Sequence, residues 1–107
     1  MKRIPPAIQE DYRYLKFEVK NGEKDLGSVV DAVWSSALNY MGAEGASDAD
    51  IWIIGNKFDE EEQIGVVKVK NNKVDSLRAA ITVNNGFEDE CFLSIVDVSG
   101  TLSGLKD

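Results

Sequence analysis

Histidine is absent from this 107-residue sequence, and cysteine occurs once, as Cys91. Without imidazole, Ser-His-Asp and Cys-His nucleophile systems, most zinc sites and histidine acid–base work are excluded. A lone cysteine closes no internal disulfide; within a strand-like run it reads as a small buried hydrophobe. Long apolar runs are missing as well, none approaching the roughly 18 to 20 residues of a membrane span. The basic start Met1-Lys2-Arg3 leads into Ile4-Pro5-Pro6 and not into the apolar segment of a signal peptide. A cytoplasmic protein with no membrane partner is the expectation. No glycine-rich phosphate loop is present: the single Gly-x-x-Gly, Gly42 to Gly45, follows a predicted helix instead of opening one. The acids Asp59-Glu60-Glu61-Glu62 are consecutive in a turn, where carboxylates converge poorly, so no metal site is expected in this chain.

Positive charge is also scarce, with 12 Lys and Arg against 19 Asp and Glu, for a net charge of −7. Taken alone, that balance argues against nucleic acid, because neutralising phosphates needs clustered cations. Distribution matters more than the sum. Two short runs, residues 59–62 and 88–90, hold seven of the 19 acids, whereas Lys2 and Arg3 open the chain and Arg13, Lys16, Lys20, Lys68 and Lys70 fall on predicted strands. An acidic chain can therefore carry a basic face.

The stretch Tyr12 to Lys20 alternates at period two, the mark of a half-buried strand. Arg13, Leu15, Phe17 and Val19 take one face; Tyr12, Tyr14, Lys16, Glu18 and Lys20 take the other. The first is a core face. Residues 1–11 precede it as an extended arm stiffened by Pro5-Pro6. Asn21-Gly22 ends the strand. A helix is predicted over Asp25–Met41, with either Asp25 or the box Ser28-x-x-Asp31 as its N-terminal cap. Its stripe is Leu26, Val30, Val33, Ala37 and Met41, and Gly42 is the expected stop before a loop to Asp50. Trp34 and Leu38 flank that stripe, as a widened core face or as a partner-binding edge.

Ile51-Trp52-Ile53-Ile54 reads as a second strand, apolar on both faces, joined by an acidic connection to a third, Ile64–Lys70. There Val67 and Val69 oppose Lys68 and Lys70. A second helix spans Lys73–Val83, capped by Asn72 and stopped by Asn84-Asn85-Gly86; its stripe is Val74, Leu77, Ala80 and Ile81, with Arg78 beside it. Cys91–Val98 is the fourth strand, and Ser99-Gly100-Thr101 breaks it before a tail, residues 99–107.

The order β-α-β-β-α-β is the split βαβ or ferredoxin-like arrangement, an α+β sandwich with a four-stranded antiparallel sheet and both helices on one face. At 107 residues the chain makes one domain. Right-handed crossovers make the first and third strands central neighbours, which puts Lys16, Lys20, Lys68 and Lys70 together on the face away from the helices. Such a face, with Tyr12 and Tyr14, suits RNA. The third strand offers Ile64, Val66 and Lys68 where stacking rings would stand, so phosphate contact fits better than base stacking. The alternative is a solvated face whose lysines discourage edge pairing.

Three separated segments together resemble one family. They are Ile4-Pro5-Pro6-Ala7-Ile8 with Arg13-Tyr14-Leu15-x-Phe17-Glu18-Val19; Val74-Asp75-x-Leu77-Arg78-Ala79-Ala80; and Val98-Ser99-Gly100-Thr101-Leu102-x-x-Leu105-Lys106. Gly45-Ala46-Ser47 before Trp52-Ile53-Ile54 agrees with them. The chain resembles the archaeal ribonuclease P protein component 2 family, which is related to a eukaryotic subunit of the same enzyme. The resemblance implies a non-catalytic subunit of the ribonucleoprotein that removes the 5′ leader of precursor tRNA. It implies an RNA subunit that hydrolyses the phosphodiester with Mg2+, and no cofactor on this chain. The implied partners are that RNA, precursor tRNA indirectly, and the TIM-barrel protein component 3, paired as a dimer of heterodimers with a homodimer inside. Carried over by residue, it marks Pro5, Pro6, Arg13, Tyr14, Arg78, Ser99, Gly100, Thr101 and Lys106. Each has a structural alternative: the prolines stiffen the arm, Gly100 relieves a turn, Arg78 covers a helix flank. Where the resemblance implies basic residues, Gln9-Glu10-Asp11 and Gly104-Leu105-Lys106-Asp107 stand instead.

A ferredoxin-like module that binds a protein or small ligand without RNA is the competing expectation, and it explains the acidity more directly. An acylphosphatase-like enzyme shares the topology but needs an arginine-bearing phosphate loop after the first strand, which Asn21–Lys24 does not supply.

Overall fold

Alternation in the first strand is matched residue for residue in the computed structural model, which describes residues 11–83 and 87–105. Strand β1 (Tyr12–Lys20) buries Leu15, Phe17 and Val19 and turns the intervening side chains outward. Helix α1 (Leu26–Ala49) follows, then a two-residue strand β2 (Trp52–Ile53) and β3 (Ile64–Lys70). After it come α2 (Val74–Val83) and β4 (Phe92–Ser99). The sheet order is β2-β3-β1-β4, with every neighbouring pair antiparallel. β1 and β3 are thus the central pair, as the ferredoxin-like reading requires.

The core lies between the helices and one face of this sheet. Leu15, Phe17, Val67, Val69, Val29, Val33, Ala37 and Leu77 are all at most 1% exposed there. Burying each of the larger side chains contributes roughly 1.5–3 kcal/mol. Gly65 sits across from Phe17, where a Cβ would come within 2.6 Å of the Phe17 ring and 2.9 Å of Phe58. The missing side chain leaves room for those two rings to stack, their centroids 6.1 Å apart.

Several elements differ from the sequence expectation. Asp25, not Ser28-x-x-Asp31, caps α1: its carboxylate accepts the Ser28 N–H at 2.9 Å. The buried stripe is Val29, Ala32, Val33, Ser36 and Ala37, one position round from Leu26–Val30, both of which are half-buried. Gly42 does leave helical geometry (φ 77°, ψ 172°), but the expected loop to Asp50 is wrong. Beyond the kink the chain winds on to Ala49, because Ala46 and Ala49 are small enough to be wholly buried against the core. The stop is Asp50, left-handed at φ 52°, whose N–H donates to the Ser47 carbonyl at 3.1 Å.

The second strand is half its expected length, since Gly55–Lys57 turns as a short 3-10 helix after Ile54. A 3-10 turn, Asn71–Lys73, leads into α2 where Asn72 was expected as a plain cap. Cys91 precedes β4 instead of opening it: Asp89 holds its N–H at 2.9 Å, and its buried thiol donates to the Asn21 carbonyl at 3.3 Å. Burial pushes that thiol's pKa up. The predicted stop Asn84-Asn85-Gly86 lies outside the described residues. No helix among the described residues is long and apolar enough to cross a membrane.

Candidate nucleic-acid interface

Period two and register together decide what the outer sheet face carries. Across β1 and β3, Tyr12 pairs with Lys70, Tyr14 with Lys68, Lys16 with Val66 and Glu18 with Ile64. Lys16, Lys20, Lys68 and Lys70 therefore share one face, as their alternation predicted. On the other side of β1, Lys16 stands opposite Asp97 and Tyr14 opposite Ser99, with a bulge following Lys16. Glu18 forms an ion pair with Lys20 at 3.0 Å. These four ammonium groups meet the carboxylates of Glu18 and Asp97 on the strands and those of Asp50, Asp59 and Glu62 at the rim, so the face is a lysine strip within an acidic surround.

Tyr12 and Lys68 form a fixed unit. The Tyr12 hydroxyl donates to the Asp50 carboxylate, and the Lys68 ammonium sits over the ring, 4.3 Å from its centroid. Such cation–π contacts contribute about 0.5–1 kcal/mol at exposed sites. Tyr14, half-buried, lies between Lys68 and Ser99.

Part of this face is covered. Val66 is only 8% exposed although it stands opposite Lys16. Beside it runs a groove of about 350 Å³, floored by Lys16, Ile64 and Val66, walled on one side by Leu102 and Leu105 of the tail and on the other by Lys57, Asp59 and Glu62. The tail is shaped by its own hydroxyls. Thr101 N–H donates to Ser99 Oγ at 3.2 Å, and Gly104 N–H donates to Thr101 Oγ1 at 3.1 Å. Ser99 and Thr101 thus have an evident local task. Gly100 packs on Arg13, whose Nη1 would lie 3.7 Å from a Cβ at that position.

The other candidates stand apart from the lysines. Arg13 points to the helix side of the sheet, where its guanidinium donates to Asp11 at 2.7 Å and to the Tyr12 carbonyl at 2.9 Å. Arg78 is exposed on α2 and lines a cleft with Phe92 and Ile95 of β4. Trp34 is half-buried and packs against the core, whereas Leu38 is 46% exposed. Lys2, Arg3, Pro5, Pro6 and Lys106 lie outside the described residues.

Two residues escaped the sequence reading. Gln63, 6% exposed, ties two loops together: its amide nitrogen donates to the carbonyls of Lys24 and Glu60, and its oxygen accepts the Lys24 N–H. Trp52 stands opposite Lys68 on the lysine face, 67% exposed. Nothing in Ile51-Trp52-Ile53-Ile54 alternates in polarity, so the run gave no sign of which way the indole points.

Among the described residues no three His, Cys, Asp or Glu side chains group as a metal site would require. The Asp59 carboxylate instead accepts the N–H groups of Glu61 and Glu62.

The family model described as Rpp14/Pop5 matches residues 13–107, nearly the whole chain. The chain belongs to the Rpp14/Pop5 family. Among relatives, the ribonuclease P protein component 2 of Thermococcus kodakarensis is 34% identical over 98% of this chain and 88% of its own length. That of Thermococcus gammatolerans is 33% identical with the same coverage. The Methanococcus aeolicus protein of the same name is 33% identical over 100% of this chain and 78% of its own. A chain from the cryo-EM structure of yeast ribonuclease MRP superposes with a TM-score of 0.70, covering 92% of this chain and 81% of its own. At 11% identity, that likeness concerns the fold of this Rpp14/Pop5 member.

Proposed function

We propose that this chain is a protein subunit of ribonuclease P that assists removal of the 5′ leader from precursor tRNA without an active site of its own. The observation that carries the reading is the gathering of Lys16, Lys20, Lys68 and Lys70 on one sheet face of an otherwise acidic Rpp14/Pop5 protein. Ammonium groups there lower the cost of packing a polyanionic RNA by neutralising or positioning phosphates. In this reading the RNA subunit performs the hydrolysis and Mg2+ belongs with it. The protein partner is a TIM-barrel ribonuclease P component 3, in a heterotetramer built on a homodimer of this chain. The setting is the cytoplasm.

The test is cleavage of precursor tRNA by the cognate RNA subunit at limiting Mg2+, with component 3 alone and then with component 3 plus this chain. Faster correct cleavage only with both supports the proposal. Unchanged cleavage, with both proteins folded, favours an interaction module that works without RNA. In the same assay, Lys16→Glu combined with Lys68→Glu is expected to weaken activity while the domain stays folded.

A further inference from the structure

An indole left two-thirds bare on a lysine-bearing sheet face is costly to keep, and the strand register fixes its side. Ile53, next to it in β2, pairs with the fully buried Val67 and packs against the core. Period two then turns Trp52 to the opposite side, above the sheet with Lys68. Trp52, Lys68 and Tyr14 form one row across β2, β3 and β1. Tyr12 is poorly placed to take a base on the same side, because its hydroxyl is held by Asp50 and Lys68 covers its ring. The Trp52 ring carries no such cover: among the described residues neither a stacked ring nor a cation lies over it.

A flat, exposed aromatic ring one strand away from an ammonium group matches the two parts of a nucleotide, base and phosphate. The lysines nearest the indole select the occupant: Lys68 opposite it and Lys70 further along β3 draw a phosphate backbone, against the Asp50 carboxylate that Tyr12 holds. We propose that Trp52 is a stacking platform for one unpaired base of single-stranded RNA, with Lys68 beside it contacting that nucleotide's phosphate. This inference rests on the reading that the lysine face meets RNA, and adds the base contact which the third strand alone does not provide.

The experiment is a titration of the full chain with a fluorescently labelled oligoadenylate of about eight nucleotides, reading tryptophan emission and oligonucleotide anisotropy together at low salt. Wild-type emission is expected to be quenched saturably as anisotropy rises. Trp52→Phe keeps a ring and should bind within about threefold while losing the quench, which separates Trp52 from Trp34 without altering the core. Trp52→Ala should weaken binding roughly five- to hundred-fold, with an unchanged far-UV circular dichroism spectrum. If anisotropy rises and is abolished by Lys16→Glu with Lys68→Glu, yet emission is unchanged and Trp52→Ala binds like wild type, the stacking site is wrong and the lysine face stands. If no variant, wild type included, binds the oligonucleotide, both ideas fall.

Discussion

The ammonium of Lys68 lies 4.3 Å from the centre of the Tyr12 ring, and the same ring's hydroxyl is bound to Asp50, the residue that ends α1. One tyrosine thus fixes a lysine on the outer face and also ties β1 to the start of β2. The two tasks separate by mutation. Tyr12→Phe keeps the ring and removes the hydroxyl, so it should cost about 1 kcal/mol in urea unfolding and leave RNA-linked activity near wild type. Tyr12→Leu removes both and should also lower activity, because Lys68 loses its support. Equal activity in the two variants would show that the ring does not position the lysine.

Gln63 offers a sharper stability test. Its buried amide satisfies the N–H and C=O of Lys24 and the C=O of Glu60, joining the β1–α1 connection to the turn before β3. Gln63→Leu fills similar space and makes none of these bonds. Leaving several backbone groups unpaired should cost roughly 2–4 kcal/mol, measured by chemical unfolding. A loss under about 0.5 kcal/mol would mean that water replaces the amide without penalty.

Acid should weaken the fold through Asp89. Its carboxylate accepts from the Lys24 ammonium at 2.6 Å and from the Cys91 N–H at 2.9 Å. The Lys24 hydrogen bond, foremost, holds its pKa down from 3.8 to about 2. A depressed folded-state pKa adds stability that is complete above the unfolded value and is lost as pH falls through the folded one. The unfolding midpoint should therefore decline between about pH 4 and pH 2, and Asp89→Asn should flatten that part of the profile. An identical slope in the variant would assign the acid sensitivity to other carboxylates.

Where the chain alternates or repeats with large apolar residues, its structure is legible in the sequence. Alternation marks the ends of β1 and β3 and, with them, the face shared by Lys16, Lys20, Lys68 and Lys70. What stayed hidden depends on tertiary fit. Residues 43–49 hold no large hydrophobe, so the helix beyond Gly42 is visible only once Ala46 and Ala49 are seen buried. Trp52 sits in a run without polar contrast, and Gln63 is identified by bonds to a loop 39 residues away in sequence. Local pattern locates strands and faces; it does not reveal which glutamine a distant loop will need.

Gly104 belongs to the same hidden class, and the tail that borders the groove beside Lys16 depends on it. A Cβ there would lie 2.3 Å from Ser99 Oγ and 3.0 Å from Thr101 Oγ1. Gly104→Ala must therefore rotate the Ser99 hydroxyl away, breaking the bond it accepts from Thr101 N–H. Ser99→Ala breaks that bond too, but it also removes the atom that collides. The single changes should each loosen the tail by about 1 kcal/mol, and the double variant should cost little more than Ser99→Ala alone. Hydrogen exchange at Thr101, Gly104 and Leu105 would report this as roughly fivefold faster exchange in either single variant, with no further rise in the double. A loosened tail also withdraws Leu102 and Leu105 from the groove beside Lys16 and Val66. If the tail limits access to the lysine face, both single variants should bind single-stranded RNA more tightly than wild type. Faster exchange with unchanged RNA affinity would mark the tail as a bystander to that face.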